Sequence, residues 1–343
     1  MRLWRNFLGK SELNILFTSV GRRVELIRAF RDAYSILDLA GNIIATDIDP
    51  LAPALQDVDT PYLIPRFNEP DYLTTLIKIC RSESVHLVIP LIDPEIPVLA
   101  MHREEIQASG VRLVVIPTPS VAICNDKWLT YKFLKKLGIP VPKTWLPKEN
   151  EIDYPQLDFP VFIKPRSGSG GKNTFRVNNV QELEFFSKYI EDPVVQEYLP
   201  GPEITTDVIC DLDGTLLGMV SRQRIEVRWG EVAKGVTVYY PGILEACSKI
   251  VTALNGLGPI TVQCIMKDGK AYFTEINPRF GGGLPLGIAA GVNAPLWLLA
   301  RTCGLPVTIP SLGEYETGLY LTRFDDSYFI TSDDYKQLAR NHF

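Results

Sequence analysis

Polar and apolar residues alternate in the stretch Ala271-Tyr272-Phe273-Thr274-Glu275-Ile276-Asn277-Pro278-Arg279. Successive side chains of a β-strand point to opposite faces, so Glu275, Asn277 and Arg279 are predicted to share one face. Pro278 has no N–H for a β-ladder, and the strand should end there. A carboxylate, an amide and a guanidinium together suit a divalent metal that holds phosphate groups. For this segment alone, the solvated face of an edge strand is the alternative.

The composition of the chain excludes several classes of function. The chain has 343 residues, 46% of them hydrophobic and 22% charged, with a formal net charge of -5. Two or three soluble domains are expected, with neither nucleic acid nor a membrane as a partner. The start lacks a signal-peptide core and no run of about 18 apolar residues occurs, so a cytoplasmic protein is predicted. Six scattered cysteines and three histidines argue against a zinc site, disulfides or a Ser-His-Asp triad.

Strand and helix patterns alternate up to about residue 118, which predicts a parallel sheet covered by helices. The predicted strands are 14–20, 42–46, 85–90 and 111–116, and the predicted helices are 22–34, 72–80 and 96–109. A dinucleotide site is rejected, because the first turn carries Gly21 alone where that fingerprint needs three glycines. Arg22 and Arg23 could hold a carboxylate or phosphate, or form a solvated pair.

Strands dominate the second half of the chain. Helices are predicted there at 126–137, 180–190 and 242–254, a last strand at 315–323, and a helix or loose tail from 332 onward.

An apolar strand leads into a lysine and a glycine-rich loop in Val161-Phe162-Ile163-Lys164-Pro165-Arg166-Ser167-Gly168-Ser169-Gly170-Gly171-Lys172. Glycines let backbone N–H groups approach phosphate oxygens, and the charge of Lys164 needs an anionic partner. The spacing is not that of a Walker A loop, and a flexible surface hairpin is the alternative. Downstream, Glu197 and Glu203 flank a connector that could meet an adenine edge and a ribose diol, or could be an ordinary linker.

In this order, the pieces resemble the ATP-grasp superfamily, specifically the carbamoyl-phosphate synthase large chain and biotin carboxylase, over about residues 13–310. By that resemblance two lysines contact ATP phosphates, the glycine-rich loop closes over them, the connector meets adenine and its second acid holds ribose. The implied nucleotide contacts are Lys127, Lys164, Gly168, Ser169, Gly170, Gly171, Glu197, Tyr198, Leu199 and Glu203.

The resemblance also implies a fold of mixed α/β and α+β class. A Rossmann-like parallel-sheet pre-ATP-grasp domain would precede a two-subdomain ATP-grasp fold. The predicted parts are an N-terminal tail (1–12), the pre-ATP-grasp domain (13–118), a small subdomain with the glycine-rich loop (119–192), a C-terminal subdomain with the metal site (193–330) and a C-terminal tail (331–343).

In the family a further metal-facing residue lies about a dozen residues before the E-x-N pair, where this chain has Gln263. A two-residue turn at Asp268-Gly269 would pair Gln263 with Thr274, on the wrong face from Glu275. A three-residue loop with a bulge, Asp268-Gly269-Lys270, pairs Gln263 with Glu275, and this register is predicted. Gln263 thus joins Glu275 and Asn277 as a predicted ligand of Mg²⁺, with Mn²⁺ as a substitute.

Basic side chains lie between the connector and the metal strand. Arg222, Arg224 and Arg228 are predicted to share a strand face, and Lys234 lies in a glycine-flanked segment. Such cations would neutralise a transferring phosphoryl group or hold an acceptor carboxylate, and a solvated basic strand is the alternative. The predicted catalytic residues are Arg224, Lys234 and Arg279.

The resemblance implies an ATP-dependent, ADP-forming carboxylate–amine ligase that works through an acyl phosphate on an amino acid or small carboxylate. Catalysis would consist of positioning and charge neutralisation, without a covalent nucleophile. The alternatives are a carbamoyl-phosphate-synthase-like enzyme that phosphorylates bicarbonate or carbamate, and a non-catalytic ATP-binding module. The expected partners are small-molecule carboxylate and amine substrates, and a homodimer is considered.

Overall fold

The computed structural model describes residues 12–147, 157–168, 170–228 and 230–340. The N-terminal domain contains a parallel sheet whose three inner strands are buried. Its strands are β1 (Ile15–Thr18), β2 (Ile43–Asp47), β3 (Thr60–Leu63), β4 (Leu87–Pro90) and β5 (Arg112–Leu113). Its helices are α1 (Val24–Leu37), α2 (Tyr72–Ser82), α3 (Ile96–Met101) and α4 (Arg103–Gln107). The strand order β3-β2-β1-β4-β5 reverses beside β1, and at such a point an open α/β sheet leaves a crevice for ligands.

Two elements of this domain differ from the sequence prediction. β3 was not predicted, because it contains Pro61, whose missing N–H is tolerated only at a sheet edge such as this. The single helix predicted at 96–109 was wrong. It is divided at His102, whose φ of -99° and ψ of 20° lie outside the helical region.

A small antiparallel sheet follows, with the order β6-β9-β7-β8. Its strands are β6 (Thr144–Trp145), β7 (Val161–Pro165), β8 (Phe175–Val177) and β9 (Pro193–Glu197). The helices are α5 (Thr118–Asn125), α6 (Lys127–Lys136) and α7 (Val180–Tyr189). Asp126 caps the N-terminus of α6, because its carboxylate accepts hydrogen bonds from two backbone N–H groups of the first turn. β9 belongs to this sheet although it lies beyond the predicted subdomain limit at residue 192.

The large antiparallel sheet has the order β14-β13-β10-β11-β12-β15. Its strands are β10 (Glu203–Cys210), β11 (Leu216–Arg228), β12 (Glu231–Val238), β13 (Pro259–Lys267), β14 (Lys270–Asn277) and β15 (Tyr320–Thr322). The helices are α8 (Pro241–Ala253), α9 (Leu284–Ala289), α10 (Ala294–Cys303) and α11 (Ser332–Arg340). Two hydrophobic cores join this sheet to the N-terminal domain, whereas the small sheet has a separate core. None of the helices within the described ranges has the length and apolar character needed to cross a membrane.

The hairpin of β13 and β14 has the predicted register but not the predicted turn. Gln263 pairs with Glu275, as expected. The turn, however, has two residues, since Lys267 pairs with Lys270 and both Asp268 and Gly269 have positive φ. A bulge at Thr274 supplies the extra residue that the three-residue loop was meant to supply. Gln263 and Glu275 therefore lie opposite each other because of a bulge inside the strand pair.

Candidate active site

A cavity of about 350 Å³, here the first cavity, lies between the small and the large sheet. It brings together many predicted site residues, namely Lys127, Lys164, Gly168, Gly170, Gly171, Glu203, Arg224, Gln263, Glu275, Asn277 and Arg279. The glycine-rich loop crosses it, because a Cβ on Gly230 in the β11–β12 turn would lie only 3.3 Å from Gly170 Cα. Gly168, Gly170 and Gly171 all have positive φ, which favours glycine. Ser169 lies outside the described residues.

The two predicted phosphate-binding lysines end on neutral oxygen atoms. Lys127 Nζ donates to the carbonyl oxygen of Gly168 at 2.9 Å, and Lys164 Nζ donates to Gln196 Oε1 at 3.0 Å. Gln196 was not predicted, and its amide nitrogen is held in turn by Thr144 Oγ1. Burial lowers the pKa of Lys164 to about 8, although the Glu275 carboxylate opposes this shift. A phosphate group at this position would restore the charge of Lys164.

The predicted metal-binding side chains occupy adjacent positions on β13 and β14. Gln263 lies directly opposite Glu275, and Thr261 lies opposite Asn277. A terminal amide atom of Asn277 lies 3.3 Å from Glu275 Oε1 and 3.2 Å from Asp93 Oδ1. The amide nitrogen satisfies both carboxylates without a cation, and the amide oxygen would join them as a ligand.

The described residues contain no group of three or more His, Cys, Asp or Glu side chains that could hold a metal ion by themselves. Magnesium is usually held by one or two carboxylates together with substrate phosphates, rather than by an all-protein cage. One carboxylate and two amides beside two lysines therefore fit a magnesium–nucleotide complex.

A second cavity, of about 70 Å³, adjoins the first and reaches the N-terminal domain. The two share Arg224, Gly230, Gln263, Asn277 and Arg279. Beyond these residues the second cavity is lined by side chains that the sequence prediction did not assign to a site, except that Arg23 and Arg222 were noted as possible anion contacts. Its further lining includes Arg23, Thr205, Arg222, Glu231 and residues 281–283.

Each arginine of the second cavity has a carboxylate partner. The pairs and their N···O distances are Arg222–Asp207 at 2.9 Å, Arg224–Glu203 at 2.6 Å, Arg279–Asp93 at 2.6 Å and Arg23–Glu231 at 3.3 Å. Burial lowers the pKa of Arg23, and the charges of Arg279 and Arg323 lower it further against the opposing effect of Glu231. Thr205 is 1% exposed and its Oγ1 has no hydrogen-bond partner among the described residues. The cavity thus presents arginine N–H groups and one unsatisfied hydroxyl.

The floor of the second cavity consists of three consecutive glycines, which follow Arg279 and Phe280. A Cβ on Gly282 would lie 2.8 Å from Arg23 Nη1, and one on Gly283 would overlap the Arg222 guanidinium. Glycine is therefore required for the arginines to approach the backbone. The triplet is visible in the sequence, but its role depends on arginines from two other elements.

Four predicted site residues lie outside the linings of both cavities. Lys234 is exposed, with its Nζ 2.7 Å from Glu226 Oε2. In the connector, Glu197 lies 3.5 Å from Lys267 Nζ, Leu199 is buried, and the Tyr198 ring stacks with Arg176. Their catalytic and adenine-binding roles remain predictions.

Comparisons with known proteins agree with this geometry. Residues 15–114 match the PylC-like N-terminal domain family, and residues 124–283 match an ATP-grasp domain family. A carbamoyl phosphate synthase large chain from Caldanaerobacter subterraneus subsp. tengcongensis is 29% identical over 236 residues. That match covers 63% of this chain and 22% of the relative, so the chain spans only a fraction of the relative's length.

Solved structures share the fold. An L-amino acid ligase from Bacillus licheniformis has a TM-score of 0.67 and 19% identity, over 86% of this chain and 75% of its own. The biotin carboxylase domain dimer of a 2-oxoglutarate carboxylase from Hydrogenobacter thermophilus, bound to MgADP, ADP and bicarbonate, has a TM-score of 0.70 and 18% identity, over 89% and 73%. The predicted fold class and the resemblance to the ATP-grasp superfamily are confirmed.

Proposed function

We propose that the protein is an ATP-dependent carboxylate–amine ligase that releases ADP, on the ground that residues 124–283 match an ATP-grasp domain family. One observation carries the proposal. Two lysines that end on neutral oxygens face a carboxylate–amide pair across one cavity beneath a glycine-rich loop. Cations whose hydrogen-bond acceptors among the described residues are neutral, together with ligands suited to magnesium, are what a triphosphate requires.

In this proposal the first cavity binds the nucleotide. Lys127 and Lys164 bind its phosphates, and Glu275 and Asn277 hold Mg²⁺ with Gln263, with Mn²⁺ as a substitute. When bound, the cation neutralises charge on the β- and γ-phosphates. The connector Glu197–Leu199 and Glu203 would contact adenine and ribose, as the resemblance implies.

The carboxylate substrate would bind in the second cavity. The cavity is lined by four arginines and by the Thr205 hydroxyl, which has no partner among the described residues, so the matching ligand supplies acceptor oxygens. Arg23 comes from the N-terminal domain, near the reversal of strand order where open sheets bind ligands. The shared residues Arg224 and Arg279 lie where the two ligands would meet.

The chemistry proceeds in two steps. A carboxylate oxygen attacks the γ-phosphorus, the bond to the ADP oxygen breaks, and an acyl phosphate forms. An amine nitrogen then attacks the acyl carbon, the carbon–oxygen bond breaks, and phosphate leaves with the proton from the amine. Arg224 and Arg279 stabilise the charge of the transferring group, and the glycine-rich loop excludes water from the acyl phosphate.

Phosphorylation of bicarbonate or carbamate is a second candidate, favoured by the similarity to the carbamoyl phosphate synthase large chain. The similarity to a biotin carboxylase dimer supports testing for a homodimer.

The test is an ADP-release screen with Mg²⁺ and paired carboxylates and amines, with bicarbonate alone as a separate arm. ADP release that needs both a carboxylate and an amine supports the ligase, whereas release with bicarbonate alone supports the second candidate. Glu275→Gln should lower the rate at least about 1,000-fold, because it removes the one carboxylate of the predicted ligand set. Glu104→Gln, on the exposed surface of α4, is the matched control. Normal turnover by Glu275→Gln, or ATP binding without ADP release in every arm, would contradict the proposal.

A further inference from the structure

Asp93 connects the N-terminal domain to the metal strand. It lies in the loop after β4, and its Oδ2 accepts hydrogen bonds from Arg279 Nε at 2.9 Å and Nη2 at 2.6 Å. Both side chains are about 15% exposed, so little water competes for the pair. The contact joins residues 186 positions apart and no sequence motif includes both.

The second oxygen of Asp93 faces the predicted metal ligands. Asp93 Oδ1 lies 3.2 Å from the same terminal atom of Asn277 that lies 3.3 Å from Glu275 Oε1. Asn277 is 7% exposed, so its amide has almost no access to solvent. The two carboxylates thus approach one buried amide, and a cation held by Glu275 and Asn277 would lie close to Asp93.

The loop that carries Asp93 is fixed by a buried carboxyl group two residues later. Glu95 is fully buried, and it accepts hydrogen bonds from Thr18 Oγ1 at 2.8 Å and from the Tyr72 hydroxyl. Thr18 ends β1 and Tyr72 begins α2, so the core of the N-terminal domain holds the loop. Asp93 is therefore presented from a rigid support.

We propose that Asp93 is the second carboxylate of the cation site, supplied by the N-terminal domain. This inference rests on the proposed function only in placing a metal–nucleotide complex in the first cavity. The predicted ligands Gln263, Glu275 and Asn277 together carry a single negative charge, and Asp93 adds another beside them. The same carboxylate holds Arg279 through its other oxygen, so cation binding and the position of this guanidinium are coupled.

The test measures binding rather than turnover. Mn²⁺ is titrated into the protein with ADP and followed by electron paramagnetic resonance, and ADP binding without metal is measured by calorimetry. Asp93→Asn should weaken Mn²⁺ binding about 10- to 100-fold, as is typical when a group that supports metal ligands is removed, and change metal-free ADP binding less than about twofold. Asp93→Glu, which keeps the charge, should recover part of the affinity.

Asp57→Asn is the matched control, since it removes another aspartate–arginine pair, at 2.7 Å from Arg28 Nε, which is partly exposed and lies within the N-terminal domain. If Asp93→Asn does not fold because Arg279 loses its partner, Asp93→Asn combined with Arg279→Gln removes both charges, and weak Mn²⁺ binding is again expected.

Three results would overturn the inference. These are Mn²⁺ binding by Asp93→Asn within twofold of the wild type, an equal loss in Asp57→Asn, and normal Mn²⁺ binding by the double variant. Wild-type protein that binds ADP but shows no Mn²⁺-dependent signal would overturn this inference alone. Wild-type protein that binds no ADP at all would overturn the proposed function with it.

Discussion

The cationic side chains of the two adjoining cavities have different kinds of partner. In the first cavity, Lys127 and Lys164 donate to a backbone carbonyl and an amide oxygen, which carry no charge. In the second cavity, arginines are paired with carboxylates, as Arg222 is with Asp207 and Arg279 is with Asp93. A lysine on a neutral acceptor keeps its charge available for a ligand, whereas a paired arginine is fixed in place before any ligand binds.

This difference assigns separate tasks to the two kinds of cation. Fixed guanidinium groups have a rigid set of donors, and their remaining N–H groups can orient a carboxylate at little entropic cost. Lysine has a flexible stem and a pKa that responds to burial, so it can gain charge as phosphate arrives. If this comparison is correct, removal of an arginine should damage the fold, and removal of a lysine should change ligand binding.

The largest effect is expected for Arg222→Met. Arg222 and Asp207 have side chains 4% and 3% exposed, and the substitution leaves the Asp207 carboxylate buried without its cation. Loss of one partner of a buried pair typically costs about 3–5 kcal/mol of the free energy of unfolding. Urea denaturation monitored by tryptophan fluorescence measures the change.

Arg228→Met is the control on the same strand. Its side chain is 54% exposed and pairs with Glu226 at 2.7 Å, so the substitution should cost less than about 1 kcal/mol. Equal losses for the two variants would show that the buried pair is not a structural support.

The next prediction concerns the first cavity and the pH dependence of its affinity for ADP. The pKa of Lys164 is lowered to about 8, and a bound phosphate raises it by favouring the charged form. ADP affinity should therefore be constant below about pH 8 and fall as the pH rises above it, by up to about tenfold per pH unit. Calorimetry at several pH values and in buffers of different ionisation enthalpy measures the affinity and the accompanying proton uptake.

Lys164→Met should bind ADP more weakly at pH 7 and lose this pH dependence. Lys127→Met is the paired control, which should also weaken binding and should keep the dependence but move it to higher pH, because the charge of Lys127 helps to lower the pKa of Lys164. A slope that persists in Lys164→Met would assign the titration to another group.

The elements of the fold that could be predicted from the sequence have local patterns. The helix at α1 and the strands β1, β2 and β4 follow from periodicity, and a helix was predicted at 126–137, where α6 lies. α10 was not predicted, because most of its side chains are buried and its sequence lacks an amphipathic pattern. The bulge at Thr274 was missed as well, since strand pairing rather than local sequence determines it.

The site residues divide in the same way, into those that could be predicted from the sequence and those that tertiary packing or strand pairing determines. Strand alternation placed Glu275 and Asn277 on one face, and the resemblance to the ATP-grasp superfamily joined Gln263 and Lys164 to them; all four line the first cavity. Asp93 and Thr205 reach the site through the packing of the N-terminal domain on the large sheet or through strand pairing, which no contiguous motif encodes.

The smallest effect, with the opposite sign, is expected for Thr205→Val. Thr205 and Thr206 are neighbours on β10 and are both 1% exposed, but their hydroxyls differ. Thr206 Oγ1 lies 2.8 Å from Ser221 Oγ, whereas Thr205 Oγ1 has no partner among the described residues and lines the second cavity. An unsatisfied buried hydroxyl is costly, so Thr205→Val should raise the free energy of unfolding by about 1 kcal/mol, and Thr206→Val should lower it by about as much.

Urea denaturation of the two variants gives the comparison, and the thermal shift produced by the carboxylate substrate should decrease in Thr205→Val alone. A loss of stability in Thr205→Val equal to that in Thr206→Val would mean that the Thr205 hydroxyl already has a hydrogen-bond partner. The second cavity would then contain paired arginines but no neutral donor that is free to bind a ligand.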